Sequence, residues 1–490
     1  MLPVHLGGGG EEFPELGRGV LVIEVDAWRR DHLGLYGYDR ATSVFLEKLA
    51  GRVMVFDNAW STGAGAMPAA VSLLTGCDPI LARRPGIELA DGSKLEPAFP
   101  WDVTDRLPRV AFQFLQHGYR TCLLSGGGAL ENLRGIRLGF EEVHWSARKE
   151  TGGTRDRSLG EMEDELIEWA RSLDDGDNWF AYMEASDLEG FHLTGEVGEG
   201  FEYTRGLDFV PPVGPSEPVF HAMPRSRLAP SLETLADYVG AYDTALAKLD
   251  ADLEHFLLSL GSHGILGRTT IVLVGGYGMG FGEAGLLADA GTLSEVDLAV
   301  PLMIRPALEL GMPTGGRVSA LVSLVDLGPT IMDMHGVDNP GGLAGRFMTG
   351  RSMTGLMRGT EDRIRDYAFA VGNIHAGFAV IDDKGMLIHA KPGVGGPSDL
   401  GASWFGLSKP CDEAVELLLP RGQGLLPDAY RRGDKDSART ELLLGVGEAW
   451  AKKAAGFRET AFERKTGKSS VKASARKADA ELPDWLKVGK

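Results

Sequence analysis

A chain of 490 residues that is 43% hydrophobic and 24% charged has an ordinary globular balance and can bury one large core or two domains. Its formal charge of -19 opposes non-specific binding to nucleic acid or to an anionic membrane surface, and no apolar run is long enough to span a bilayer. Three scattered cysteines, Cys77, Cys122 and Cys411, exclude a disulfide framework or a thiolate cluster and fit a reducing compartment.

Residues 1–18 read as an N-terminal extension. They run through Gly7-Gly8-Gly9-Gly10 and lack the basic and apolar regions of a secretory signal, so the expected location is cytoplasmic. Gly19 to Asp26 is a continuous β-branched run ending in a carboxylate, which suits a parallel strand covered on both faces. Ser43 to Leu49 reads as a short helix and Asp105 to His117 as another. The strand Tyr119 to Leu124 follows, then the glycine turn Gly126-Gly127-Gly128. Leu159 to Leu173 has helical period and Trp179 to Met183 is a strand. Ser231 to Leu260 is a long helix with Leu235, Val239, Tyr242, Leu246, Leu249, Leu253, Phe256 and Leu257 as its apolar stripe. Thr269 to Val274 is the next strand. Strand and helix in alternation predict an α/β sandwich around a mostly parallel sheet.

From about Gly359 the pattern changes to short antiparallel strands, Tyr367 to Val380 and Met386 to His389, followed by a turn-rich stretch from Gly422 to Ala438. The expected units are residues 19–360 as a large α/β domain and 361–450 as a small C-terminal α+β domain. Residues 451–490 hold eleven Lys or Arg against five Asp or Glu, a net of +6, and read as a basic flexible tail.

Several motifs lie in order along the large domain. Asp26-Ala27-Trp28-Arg29-Arg30-Asp31-His32-Leu33-Gly34 follows the first strand. Ala66-Met67-Pro68-Ala69-Ala70 leads into Leu73-Leu74-Thr75-Gly76. Farther on come Ala299-Val300-Pro301-Leu302, Leu324-Val325-Asp326-Leu327 and Gly350-Arg351-Ser352. In order and spacing, over residues 19 to 360, these resemble the sulfatase family of the alkaline phosphatase-like superfamily. The resemblance implies that superfamily's central sheet between helices, with a small C-terminal domain. It also implies a sulfate-ester hydrolase with an active-site divalent ion, usually calcium.

Carried over position by position, the resemblance places the nucleophile at Ala66 and the adjacent Ser and Arg at Ala69 and Ala70. The first metal-binding Asp is Asp26. The second metal-binding Asp and its His fall at Gly276 and Tyr277, within Val274-Gly275-Gly276-Tyr277-Gly278, and the sulfate-holding Lys falls at Ala290. A methyl group cannot attack sulfur or phosphorus, and one carboxylate cannot supply a shell of about six or more oxygens. The expectation is therefore a sulfatase-like pseudoenzyme with a binding or structural role, no catalytic residue and no required cofactor, Asp26 being a remnant metal ligand. One alternative is a divergent metal-dependent sulfate or phosphate ester hydrolase using Ser61 or Thr62, with calcium or another divalent ion. The other is a partner-binding assembly subunit, forming a homo-oligomer or engaging an acidic protein through the basic tail.

Each remaining candidate has a structural reading beside its chemical one. Asp26 either holds metal or caps the next helix. Asp31 and His32 read as a hydrogen-bonded pair that shapes the loop. Arg29 and Arg30 either face solvent or hold an anion. Asp187, Glu189 and His192 form a loose candidate for a relocated metal site. Tyr277 is a packing residue, or else a nucleophile or proton donor. Gly275 to Gly280 imitates a dinucleotide fingerprint but needs a following helix to be one. Gly126-Gly127-Gly128 is a plain loop or an anion nest.

Overall fold

The computed structural model describes residues 15–84, 101–145, 157–201, 228–281, 293–372, 377–390, 415–420 and 438–462, with short strands at 87–88 and 94–95. Its principal elements in the first half are β1 (Gly19–Val25), α1 (Val44–Leu49), β2 (Met54–Phe56), α2 (Ala66–Thr75), α3 (Val110–Gln116), β3 (Tyr119–Ser125) and β4 (Glu142–His144). The second half holds α4 (Leu159–Arg171), β5 (Asn178–Ala185), α5 (Leu235–Ser262), β6 (Thr269–Gly275), β7 (Leu302–Arg305), β8 (Gly316–Val318) and α6 (Leu327–His335). Beyond these lie β9 (Ala368–Val371), β10 (Gly377–Asp382), β11 (Gly385–Ala390), β12 (Val415–Pro420) and α7 (Ala438–Phe462).

Eight strands form the central sheet in the order β8-β2-β7-β6-β1-β5-β3-β4. The run from β6 through β4 is parallel, as the sequence leads one to expect, while β7 enters antiparallel between β6 and β2. Successive side chains of a strand face opposite ways. Val20 and Val22 therefore join Phe180, Tyr182, Val272 and Val274 under α2, α3 and α6. Leu21, Ile23 and Val25 join Ala181, Met183, Ile271 and Leu273 under α4 and α5. Each such aliphatic side chain contributes roughly 1.5–3 kcal/mol by leaving water, which explains why an uninterrupted apolar strand settles at the centre.

Two helix starts differ from expectation for identifiable reasons. α5 begins after Thr234, which forms a reciprocal capping box with Asp237, whereas Ser231 donates to the Gly195 carbonyl at 2.9 Å. α3 begins at Val110 and not near Asp105, because Pro108 disfavours helix before it. The preceding turn is tied instead by buried Arg109, whose guanidinium donates to the carbonyls of Val103, Thr104, Leu107 and Gly135.

The C-terminal strands make a four-stranded antiparallel sheet in the order β9-β10-β11-β12. The expected strand from Tyr367 to Val380 is in fact two paired strands, Ala370 lying opposite Ala379. α7 runs to Phe462, so residues 451–462 of the expected tail are helical; residues 463–490 and most of the stretch from Gly422 lie outside the described residues. Phe378, Val380, Leu443, Val446 and Trp450 share one hydrophobic core with the α2 face of the central sheet.

His335, the last residue of α6, is buried with Nε2 at 2.9 Å from Thr270 Oγ1 and Nδ1 at 3.4 Å from Tyr119 Oη, the ring edge facing Phe114. Burial, and secondarily the charge of Arg18, pushes it down to about 4. Between its ordinary value near 6.5 and pH 4 the unfolded chain takes a proton that the native imidazole refuses. Stability contributed by this group is present above that window and lost as pH falls through it, by roughly 3 kcal/mol in all. Denaturant titrations at pH 7.5 and pH 4.5 should show this decline reduced in His335→Leu; an unchanged decline would assign it elsewhere.

Candidate functional site

In open α/β sheets ligands gather at the carboxyl ends of the parallel strands. Glu24, in β1, falls on the same face as Val20 and Val22 by the alternation of the strand, and Asp26, the residue after its end, has the same parity. Glu24 lies in register with Glu184 on β5, and Glu184 with Ser125 on β3, so one row of the sheet carries Ser125, Glu184 and Glu24 side by side. These acids are buried, with Glu24 and Asp26 each 1% exposed and Glu184 fully enclosed.

Hydroxyl groups meet each carboxyl. Tyr182 donates to Glu24, Ser125 to Glu184 and Tyr277 to Glu189, while Ser186 Oγ lies 3.4 Å from Asp26 Oδ2. Glu24 Oε1, Asp26 Oδ1 and Glu184 Oε1 are buried without a hydrogen-bond partner among the described residues. Burial raises Asp26 well above the usual carboxylate range, and the like charges of Glu189, Glu184 and Glu24 push the same way. Burial likewise raises Glu184 well above its ordinary value and brings Glu24 up to about 7. Burial first, then Asp26 and Glu189, also raises the Tyr277 phenol well above its ordinary value, which removes it as a nucleophile at neutral pH.

The loop after β1 holds no exposed anion-binding pair. Ala27 adopts φ 55, a left-handed conformation that disfavours side chains, and its carbonyl accepts from Tyr242 Oη at 2.8 Å. Asp26 does not cap the next helical turn, whose N-cap is Arg29 without a side-chain bond. Arg29 is buried, not solvent-facing. It grips Asp31 at 2.6 Å and 2.9 Å, donates to the Met279 carbonyl and lies 4.2 Å from the Phe281 ring centre. Arg30 donates to the Asp57 carbonyl at 2.9 Å. His32 pairs not with Asp31 but with Asp243 of α5, Nδ1 to Oδ1 at 2.7 Å. Asp243 was not legible as a partner, since it lies more than two hundred residues away in sequence.

The other candidates serve the scaffold. Asp187 accepts the backbone N–H of Leu159 at 2.9 Å at the start of α4, and burial brings it up to about 6. His192 sits in the helical turn Phe191–Thr194 with its ring at right angles to that of Phe191, and among the described residues Asp187, Glu189 and His192 do not form a group that could hold a metal ion. Ser61 Oγ donates to the Gly276 and Gly63 carbonyls, at 2.6 and 2.9 Å, and Thr62 Oγ1 shares a hydrogen bond with Ser72 Oγ at 2.6 Å. Gly126 is required by close approach: a Cβ there would lie 2.5 Å from the Arg157 carbonyl and 2.6 Å from that of Glu184. This makes the glycine turn a packing contact between strand ends. Gly275 ends a strand and Gly276 to Gly280 are described without a helix; residues 282–292, where the helix of a dinucleotide fingerprint would begin, lie outside the described residues.

Ala66 opens α2 directly after Gly65, at φ 127, and Ala69 and Ala70 are fully buried. Ala290 lies outside the described residues. The Sulfatase family profile matches residues 18–337. This chain belongs to the sulfatase family. The fold is similar to that of the phosphonate monoester hydrolase of Agrobacterium radiobacter, with a TM-score of 0.63 at 17% identity, over 91% of this chain and 96% of that one. A stretch of 121 residues is 32% identical to the extracellular sulfatase SULF-1 homolog of Drosophila melanogaster, covering 25% of this chain and 10% of that protein. Human N-acetylglucosamine-6-sulfatase is 32% identical over 117 residues, 24% of this chain and 20% of the relative. The matched stretches thus span a fifth or less of these two sulfatases.

Sulfatases are typically metal-dependent, so the present donor set bears on whether this member is too. At the positions that the sequence resemblance aligns with the family's ligands, Asp26 has a carboxylate, Gly276 has no side chain, and Tyr277 is engaged with Glu189. A Cβ at 276 would lie 2.2 Å from Glu24 Oε1, so a side chain there requires Glu24 to leave its observed conformation. Among the described residues no three His, Cys, Asp or Glu side chains form a group that could hold a metal ion. The described residues do not fit the family's divalent ion.

Proposed function

We propose that this sulfatase-family chain is a pseudoenzyme that keeps the fold for a binding or structural role and does not hydrolyse sulfuric esters. The observation that carries this reading is the methyl group of Ala66 at the head of α2. Ester cleavage on this scaffold needs an attacking atom that bonds to sulfur or phosphorus as the alcohol leaves, and positive charge beside the oxygens of the transferred group. Ala66, Ala69 and Ala70 supply neither. The hydroxyls of Ser61 and Thr62 are buried and bonded to the Gly276 carbonyl and to Ser72 of α2, which argues against a substitute nucleophile.

Aryl sulfate, aryl phosphate and phenyl phosphonate esters, assayed with calcium, magnesium or manganese, should give no release above buffer. Loss of a single stabilising donor costs about 10²- to 10³-fold in rate. Loss of the nucleophile and the cation together removes the route. Turnover that disappears in Asp26→Ala would overturn the reading.

A further inference from the structure

Gly276 occupies an ordinary region of backbone space, outside the left-handed conformations that favour glycine, so its lack of a side chain is a matter of room. The room is filled by Glu24. A Cβ at 276 would lie 2.2 Å from Glu24 Oε1, 3.1 Å from its Cδ and 3.4 Å from its Cγ. Any side chain at 276 and the observed Glu24 conformation therefore exclude each other. Glu24 reaches this place because position 24 shares the inward parity of Asp26, and Tyr182 holds its second oxygen. Beside it, Glu184 is anchored by Ser125 and by the Gly127 N–H at 3.4 Å, and Glu189 by Tyr277. A carboxyl has thus entered from the neighbouring strand at the position whose own ligand is missing.

We propose that Glu24 has taken the volume of the family's second metal ligand, and that the carboxyl–hydroxyl cluster of Glu24, Asp26, Glu184 and Glu189 closes the former metal position without a divalent ion. This rests on the pseudoenzyme reading and adds a cause: the position is filled from β1 as well as stripped of ligands. Glu24 and Gly276 then behave as one unit, and neither returns to the family pattern alone.

A double-mutant cycle on full-length protein tests the substitution. Gly276→Ala should lower the folding equilibrium constant by about tenfold or more, and in the Glu24→Ala background the same change should be nearly neutral, a coupling within the range seen for contacting residues. If Gly276→Ala alone fails to fold, recovery of folded protein in the double variant is the expected result. Equal effects of Gly276→Ala in both backgrounds would overturn the proposal. Calorimetry of the wild type with calcium, magnesium and manganese chloride should show no saturable binding. A tight site abolished by Glu184→Gln would overturn it as well. Ester turnover by a wild type that still shows the coupling and binds no metal would sink the pseudoenzyme reading while leaving the Glu24 substitution standing.

Discussion

Asp243→Ala should destabilise the protein by roughly 3–5 kcal/mol, the range for removing one member of a buried charged network. Asp243 is fully enclosed on α5. Its Oδ1 meets His32 Nδ1 at 2.7 Å, and its Oδ2 accepts from Tyr38 Oη at 2.7 Å and from Arg40 at 2.9 Å. Burial by itself would raise this carboxyl, yet the bonds from His32, Tyr38 and Arg40 outweigh burial and hold it below its ordinary value. Removing it strands His32, which is 7% exposed, among Tyr38, Tyr242 and Phe281. Guanidinium unfolding followed by tryptophan fluorescence measures the loss. Asp243→Asn should fall between wild type and alanine, since an amide keeps one acceptor. A loss under 1 kcal/mol for alanine would mean that the network contributes little.

Trp450→Ala should cost a similar amount, about 3–5 kcal/mol, because it deletes a large buried aromatic. The indole stacks on Phe369 at 4.9 Å between ring centres, meets Phe378 edge-on at 6.3 Å and donates Nε1 to Asp78 Oδ2 at 3.2 Å. Asp78 follows α2 closely and is buried, so the substitution also deprives a buried carboxyl of a donor. Amide hydrogen exchange should show α7 opening in the variant before the central sheet does. Protection in α7 equal to that of the wild type would contradict this role.

What was legible in the sequence follows from what periodicity encodes. β1 and β6 were readable because a strand buried on both faces must be continuously apolar. The antiparallel entry of β7 was not, since direction leaves no trace in hydrophobic pattern. The second half of α7 looked like tail because residues 451–490 carry a net charge of +6. In its first half Gly447 lies so close to the sheet that a Cβ would be 2.1 Å from Phe378. At the site, motif order in the sequence aligned Ala66, Gly276 and Tyr277 with the family's functional positions. The acids that fill the space were missed, although a signal existed. Glu24 interrupts an apolar strand two residues before Asp26, at the same parity, and Glu184 does so on β5. Position alone could not reveal that Glu24 meets Gly276, because that contact depends on two strands being neighbours.

Anomalous diffraction from crystals soaked in manganese chloride addresses the central claim most directly. With the family position closed as described, the maps should show Glu24 packed on Gly276, Tyr182 and Tyr277 on their carboxyls, and no anomalous peak between Asp26 and Ala66. A manganese ion there, ringed by oxygens of Asp26, Glu24 and Glu184, would contradict the account.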